Sequence, residues 1–226
     1  LTVLYLLGPS GNQSPRFFVR GQTFAEAERL GRRLGEAVAS SVERLDPSQY
    51  RREGELRGRI APVELTPRVV PSVEEAQSIL SRCREWHEEL RQSRAAPTSI
   101  RTAECAVFGA EGTLTLARLQ AEGILDRTLR DYRPVEVQVL QIGEGYLAGL
   151  PGELFAEYGL AIKGRWSGRV FVASLVGGDL QGYITTPSAA EEGCYESLTA
   201  LFAPEAGTIL VETTLELLQQ LRGGVS

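Results

Sequence analysis

Four side chains in this sequence have the type and setting to do chemistry together. Tyr183 opens "GYITT", and Tyr195 follows twelve residues later in the pair "YE". Glu153 sits in "LPGELF", where an apolar run gives way to a helical pattern. Ser14 ends "SGNQS", a Gly-rich turn just past an apolar run, the kind of place where active-site side chains are presented. A phenol can donate to an oxygen that is gaining charge. A carboxylate at a strand end can face a metal, and an exposed hydroxyl can attack or position a substrate. Each residue also has an ordinary reading. Strand tyrosines are commonly half-buried core, a glutamate in a first helical turn answers the helix dipole, and serine suits a turn.

Other arrangements are excluded or weak. His87 is the only histidine, so a Ser-His-Asp triad built on Ser14 within the chain is not expected. It lies one helical turn after Cys83, which gives half a metal site at most, and Glu85, Glu88 and Glu89 around it read as a solvated face. Cys83, Cys105 and Cys194 are scattered, with no C-x-x-C pair, which argues against a disulfide framework or a cysteine zinc cage. The net charge of −5 disfavours nucleic acid as the main partner, because phosphate binding needs a basic face. No run approaches the roughly 18 apolar residues of a membrane span, so a soluble chain of open compartment is expected. The chain starts at Leu1, inside what reads as a buried strand, and lacks methionine altogether. A fragment or processed chain is therefore expected.

The elements that must position these residues are legible from periodicity. "TVLYLL" (2–7) reads as a buried strand. Thr23 and Glu26 form a capping box for a helix over 24–45, with Phe24, Ala27, Leu30, Leu34, Val38 and Leu45 inward. "ELRGRIAPVEL" (55–65) reads as an edge strand because of Pro62. Ser72 and Glu75 open a helix over 73–94, with Ala76, Leu80, Cys83, Trp86 and Leu90 inward. Residues 100–130 read as helical pieces broken near Gly109–Gly112 and Gly123. "VEVQVLQIG" and "GYLAGL" are a hairpin, followed by a helix from near Gly152 to Lys163 and a buried strand at 169–176. Pro204 and Glu205 open a last helix with Leu210, Thr214, Leu217 and Leu221 on one stripe. These elements predict an α/β (α+β) chain, with mixed or antiparallel sheets covered by helices.

Three ordered motifs carry a resemblance. "GYITT", the twelve-residue step, "YE" and the following "LFAPEAG" resemble the C-terminal part of the catalytic domain of the neutral/alkaline, non-lysosomal ceramidases. That family has a "YxTT" strand, a "YE" pair twelve residues on, and an "S/T-x-L/I-F/Y-x-P" stretch. "PGELF" is similar to the family's "PGEF", and "SGNQSP" is similar to its "GDxSP", with Asn12 in place of the aspartate. The resemblance implies that Glu153 and Tyr183 are zinc ligands and that Tyr195 donates a hydrogen bond to the substrate carbonyl. It implies that Ser14 is the active-site serine, favoured here as a positioning group. The implied activity is zinc-dependent hydrolysis of the N-acyl amide of ceramide or a related N-acyl lipid. The alternatives are a non-catalytic module keeping the fold, or a hydrolase of another N-acyl or ester substrate. The family's other zinc ligands are histidines of the N-terminal half of the domain, and this chain has no counterpart to them. Residues 1–226 are thus expected to be the C-terminal half of one αββα-like layered domain. A missing N-terminal segment would complete its zinc site, and this chain by itself is expected to bind zinc weakly or not at all.

Overall fold

The computed structural model describes residues 3–46, 48, 50, 53–177 and 182–224, apart from the side chain of Phe17. Thr2, at the head of the first expected strand, lies outside them. The chain folds into two compact units: Leu1–Asn12 with Leu56–Ser226, and Gln13–Glu55.

The larger unit is built on four strands: β1 (Leu56–Val63), β2 (Val135–Ile142), β3 (Gly145–Gly149) and β5 (Arg169–Ala173), in the order β1-β2-β3-β5. β1 and β2 pair antiparallel, as do β2 and β3, while β3 and β5 run parallel. β1 is an edge strand, as Pro62 foretold. Gly143, at φ +59, makes the tight β2–β3 turn, a conformation that disfavours side chains. The period of two sorts the sheet's faces. Val135, Val137 and Val139 of β2 point inward with Ala148, Val170 and Val172, all buried. Two helices cover that face: α5 (Ala156–Arg165) packs on β5, and α8 (Ala206–Gly223) packs on β1, β2 and α5. α8 buries the stripe expected of it, Leu210, Thr214, Leu217 and Leu221. The opposite face presents Leu56, Ile60, Ile142 and Phe171 to solvent.

α2 (Val73–Gln92) and α3 (Pro97–Ala121) pack against each other as a helical hairpin, and α4 (Ile124–Asp131) follows it. The Ser72–Glu75 capping box forms as expected. Ala76 and Leu80 are buried, whereas Trp86 is 42% exposed. α3 runs unbroken through Gly109 and Gly112, against the expectation of helical pieces. Packing explains the glycines: a Cβ at Gly109 would meet Tyr195 Cα at 3.1 Å, and one at Gly112 would meet Thr199 Cγ2 at 3.0 Å. Gly123, at φ +68, does separate α3 from α4.

The first segment departs from expectation. Residues 3–7 form no strand and Val3, Leu4 and Tyr5 are exposed, although the Ser174 N–H donates to the Leu7 carbonyl at 2.8 Å.

The smaller unit holds a 3-10 turn (Pro15–Phe17) and α1 (Phe24–Glu43). The Thr23 hydroxyl accepts from the Glu26 N–H at 3.2 Å. The Glu26 carboxylate accepts from the Arg20 N–H at 3.0 Å instead of closing the box on Thr23. The Arg29 guanidinium and the Arg20 N–H beside it hold the Glu26 carboxyl down at about 2. The apolar stripe of α1 is not inward: Phe24 is 95%, Leu34 53% and Val38 41% exposed.

Candidate active site

Beyond β3 the chain makes a tight turn through Gly152, at φ +76, where a Cβ would press on the Gly182 carbonyl oxygen at 3.0 Å. This close approach lets two short strands pair in parallel, β4 (Glu153–Leu154) and β6 (Tyr183–Ile184). The Glu153 N–H donates to the Gly182 carbonyl at 2.8 Å, and the Phe155 N–H donates to the Ile184 carbonyl at 3.2 Å. The register sets Glu153 beside Tyr183 and Leu154 beside Ile184. Side chains in register share a face. Leu154 and Ile184 plunge into the core, 0% and 2% exposed, so Glu153 and Tyr183 are left half-buried together on the other face. Glu153 thus lies on a strand, not in the first helical turn where its sequence neighbours placed it.

The twelve-residue step after Tyr183 contains one short helix and a turn, and Tyr195 begins a second helix. Thr186 caps α6 (Pro187–Glu192), accepting from the Ala189 N–H at 3.2 Å. Gly193, at φ +66, reverses the chain, and Tyr195 begins α7 (Tyr195–Thr199). The Ser197 hydroxyl donates to the Ala189 carbonyl at 2.6 Å and ties the two helices together. From α3, the buried Thr113 hydroxyl donates to the Leu198 carbonyl at 2.6 Å, and Arg68 Nη1 donates to the Ser197 carbonyl at 2.7 Å. These contacts, with the glycines of α3, bring the Tyr195 ring edge-on to Tyr183, with centroids 5.9 Å apart and planes at 73°.

Burial, then the negative charge of Glu153 and its neighbours, pushes the Tyr183 hydroxyl up to about 12; a hydrogen bond with Glu153 adds to this. Tyr183 is therefore a phenol at neutral pH. The strand carrying it is held from below. Tyr158 of α5, buried and raised to about 12 chiefly by desolvation, donates its hydroxyl to the Thr185 carbonyl at 2.8 Å. Gly207 opens α8 against that ring, where a Cβ would fall 1.9 Å from Tyr158 Cζ. Sequence reading passed over Tyr158, Thr113 and Arg68, because their partners lie 27, 85 and 129 residues away.

Glu153, Tyr183 and Tyr195 therefore come together. A cleft of about 320 Å³ nearby is lined by Asn12, Glu157, Thr186, Glu192 and Glu196, among others. Ser14 belongs to the smaller unit. There it is exposed and accepts from the Arg16 N–H at 3.3 Å, capping the 3-10 turn. Cys83 and half-buried His87 lie on α2, and burial raises the Cys83 thiol.

With this geometry in view, the chain was compared with known proteins. No family model matches it. Over 102 residues it is 35% identical to the neutral ceramidase of Mycobacterium tuberculosis, covering 40% of this chain and 15% of that protein. The resemblance to the neutral ceramidases is thus borne out over part of the chain. Two solved structures also match. The neutral ceramidase of Pseudomonas aeruginosa has 20% identity and a TM-score of 0.35, covering 40% of this chain and 16% of that one. A ceramidase complexed with C2 has 19% identity and a TM-score of 0.34, covering 39% and 15%. The chain spans about 15% of the length of the relatives it matches.

A catalytic zinc takes three protein ligands and a water. Glu153 and Tyr183 offer two donors, one of them a phenol whose surroundings hold its proton. Among the described residues no group of three or more His, Cys, Asp or Glu side chains is placed to hold a metal. These residues by themselves do not fit the zinc site that the resemblance implies. Among the described residues, too, no helix is long and apolar enough to cross a membrane.

Proposed function

We propose that this chain forms part of a ceramidase-like amide hydrolase acting on the N-acyl bond of ceramide or a related N-acyl lipid. The observation that carries the reading is the in-register pair Glu153 and Tyr183 with Tyr195 edge-on beside it. The part-length likeness to the M. tuberculosis neutral ceramidase supports it. Tyr195 is the donor to the oxygen that becomes negative as the amide carbon is attacked, an interaction stronger in the transition state than in the substrate. Glu153 and Tyr183 are two of the zinc donors, the rest coming from polypeptide outside these residues. A lipid-like small molecule, and no nucleic acid, is the partner.

A second reading is a module that keeps the fold without the chemistry. The paucity of metal donors among the described residues favours it. One experiment separates the two: metal analysis and steady-state hydrolysis of an N-acylsphingosine by the full polypeptide carrying this chain. Tyr195→Phe is expected to leave zinc in place and lower turnover by roughly 100- to 1000-fold, the usual scale for one oxyanion donor. Tyr183→Phe is expected to lower zinc content and activity together. Equal zinc loss in both variants, or full activity in either, overturns this division of roles. A parent polypeptide with neither zinc nor hydrolysis leaves the non-catalytic module.

A further inference from the structure

At Gly11 the chain is fastened to β4, the strand that carries Glu153. The Gly11 N–H donates to the Leu154 carbonyl at 2.8 Å. A Cβ at Gly11 would stand 2.4 Å from the Glu153 carbonyl oxygen, so only glycine fits there. Asn12 then uses both ends of its amide. Its Oδ1 accepts from the Ala156 N–H at 3.0 Å, satisfying a first-turn donor of α5 that the N-cap residue Phe155 cannot. Its Nδ2 donates to both carboxylate oxygens of Glu157, at 3.1 and 2.8 Å. The two partners fix the amide's orientation, because an N–H demands the oxygen and a carboxylate demands the NH2.

We propose that Asn12 is matched to Glu157, and that the pair fastens the segment ending at Asn12 onto the start of α5. An aspartate, the residue of the resembled "GDxSP" motif, could still accept from Ala156. It could not donate to Glu157, and it would set two carboxylates within hydrogen-bonding distance of each other. The other charged groups lining the cleft, Glu192 of α6 and Glu196 of α7, add to that repulsion, and the Cys194 thiol beside them does not offset it. An amide, not a carboxylate, at position 12 therefore suits this chain's own Glu157. The inference stands on these hydrogen bonds, whatever bond the protein hydrolyses.

The test compares Asn12→Asp, Asn12→Ala, Glu157→Gln and the double variant Asn12→Asp/Glu157→Gln. It follows thermal unfolding and the rate of tryptic cleavage after Arg16, four residues beyond Asn12. At neutral pH, Asn12→Asp is expected to lower the unfolding midpoint by on the order of 3 °C. It should also speed cleavage after Arg16 several-fold. Like-charge proximity raises a carboxylate's folded pKa, so the Asn12→Asp deficit should shrink on acidification to about pH 4. The double variant should recover, because the amide introduced on α5 can donate to the carboxylate introduced on the loop, with the roles exchanged. Asn12→Ala loses both bonds without repulsion, so its smaller deficit should be the same at both pH values. Three results would each overturn the pairing. They are parent-like behaviour of Asn12→Asp and Asn12→Ala, an Asn12→Asp deficit equal at both pH values, and no recovery in the double variant.

Discussion

α1 and α8 are both amphipathic helices whose apolar stripes stand out in the sequence, and they end in opposite surroundings. α8 meets the inward faces of β1 and β2, and Leu210, Thr214 and Leu218 are fully buried. α1 carries Phe24, Leu34 and Val38 at the same helical spacing, and all three stay in solvent. The 3.6-residue period identifies a helix and its apolar face. It does not say whether a partner surface exists, because that surface is built from strands far off in sequence. The contrast bears on function. Glu153, Tyr183 and Tyr195 ride on the unit packed in the manner of α8, whereas Ser14 rides on the unit that contains α1.

The contrast predicts its own largest effect. Leu218→Ala should destabilise the larger unit by about 3 kcal/mol, the lost transfer free energy plus a cavity. Leu34→Ala should change stability by no more than about 0.5 kcal/mol, as surface replacements do. Denaturant unfolding of both variants measures the difference. Comparable losses would mean that the α1 stripe is covered in solution and that the contrast is false.

Elements with local signals were legible. The Ser72–Glu75 box, the alternation of β2, the edge character of β1 and the stripe of α8 all depend on neighbours within a few residues. What failed depended on distant partners. Gly109 and Gly112 looked like breaks because their reason, the close approach of Tyr195 and Thr199, is tertiary. Residues 3–7 are apolar enough for a buried strand, but among the described residues no strand pairs with them, and Val3 and Leu4 are exposed. Glu153 was assigned to a helical turn because the β4–β6 pairing that makes it a strand residue spans 30 positions and only two residues a side. Glu153, Tyr183 and Tyr195 stand out in the sequence as ordered motifs. Their support, through Tyr158 and Thr113, does not.

That support gives the intermediate effect. Tyr158→Phe keeps the ring that Gly207 accommodates and removes only the hydroxyl, stranding the buried Thr185 carbonyl. The expected cost is about 1–2 kcal/mol of stability. The perturbation should also reach β6, so amide exchange at Ile184 and Thr185 should quicken relative to β2. Unchanged exchange at β6 would show that α5 carries the strand without supporting it.

The smallest effect lies in one proton. The Tyr183 phenol stands at about 12 against an ordinary value of about 10, first through burial and then through Glu153. The unfolded state ionises first, so stability tied to Tyr183 is intact below about pH 10 and is lost as pH rises toward about 12. Tyr158 should titrate equally late, so both phenols should contribute to a late phase of the tyrosinate absorbance. Tyr183→Phe should shrink that phase. Glu153→Gln removes the nearby negative charge and leaves the burial, so Tyr183 should titrate earlier while remaining above the ordinary value. A late phase of full size in Tyr183→Phe, or one unmoved by Glu153→Gln, would separate the carboxylate from the phenol. The packed unit would then hold a tyrosine core and no prepared donor set.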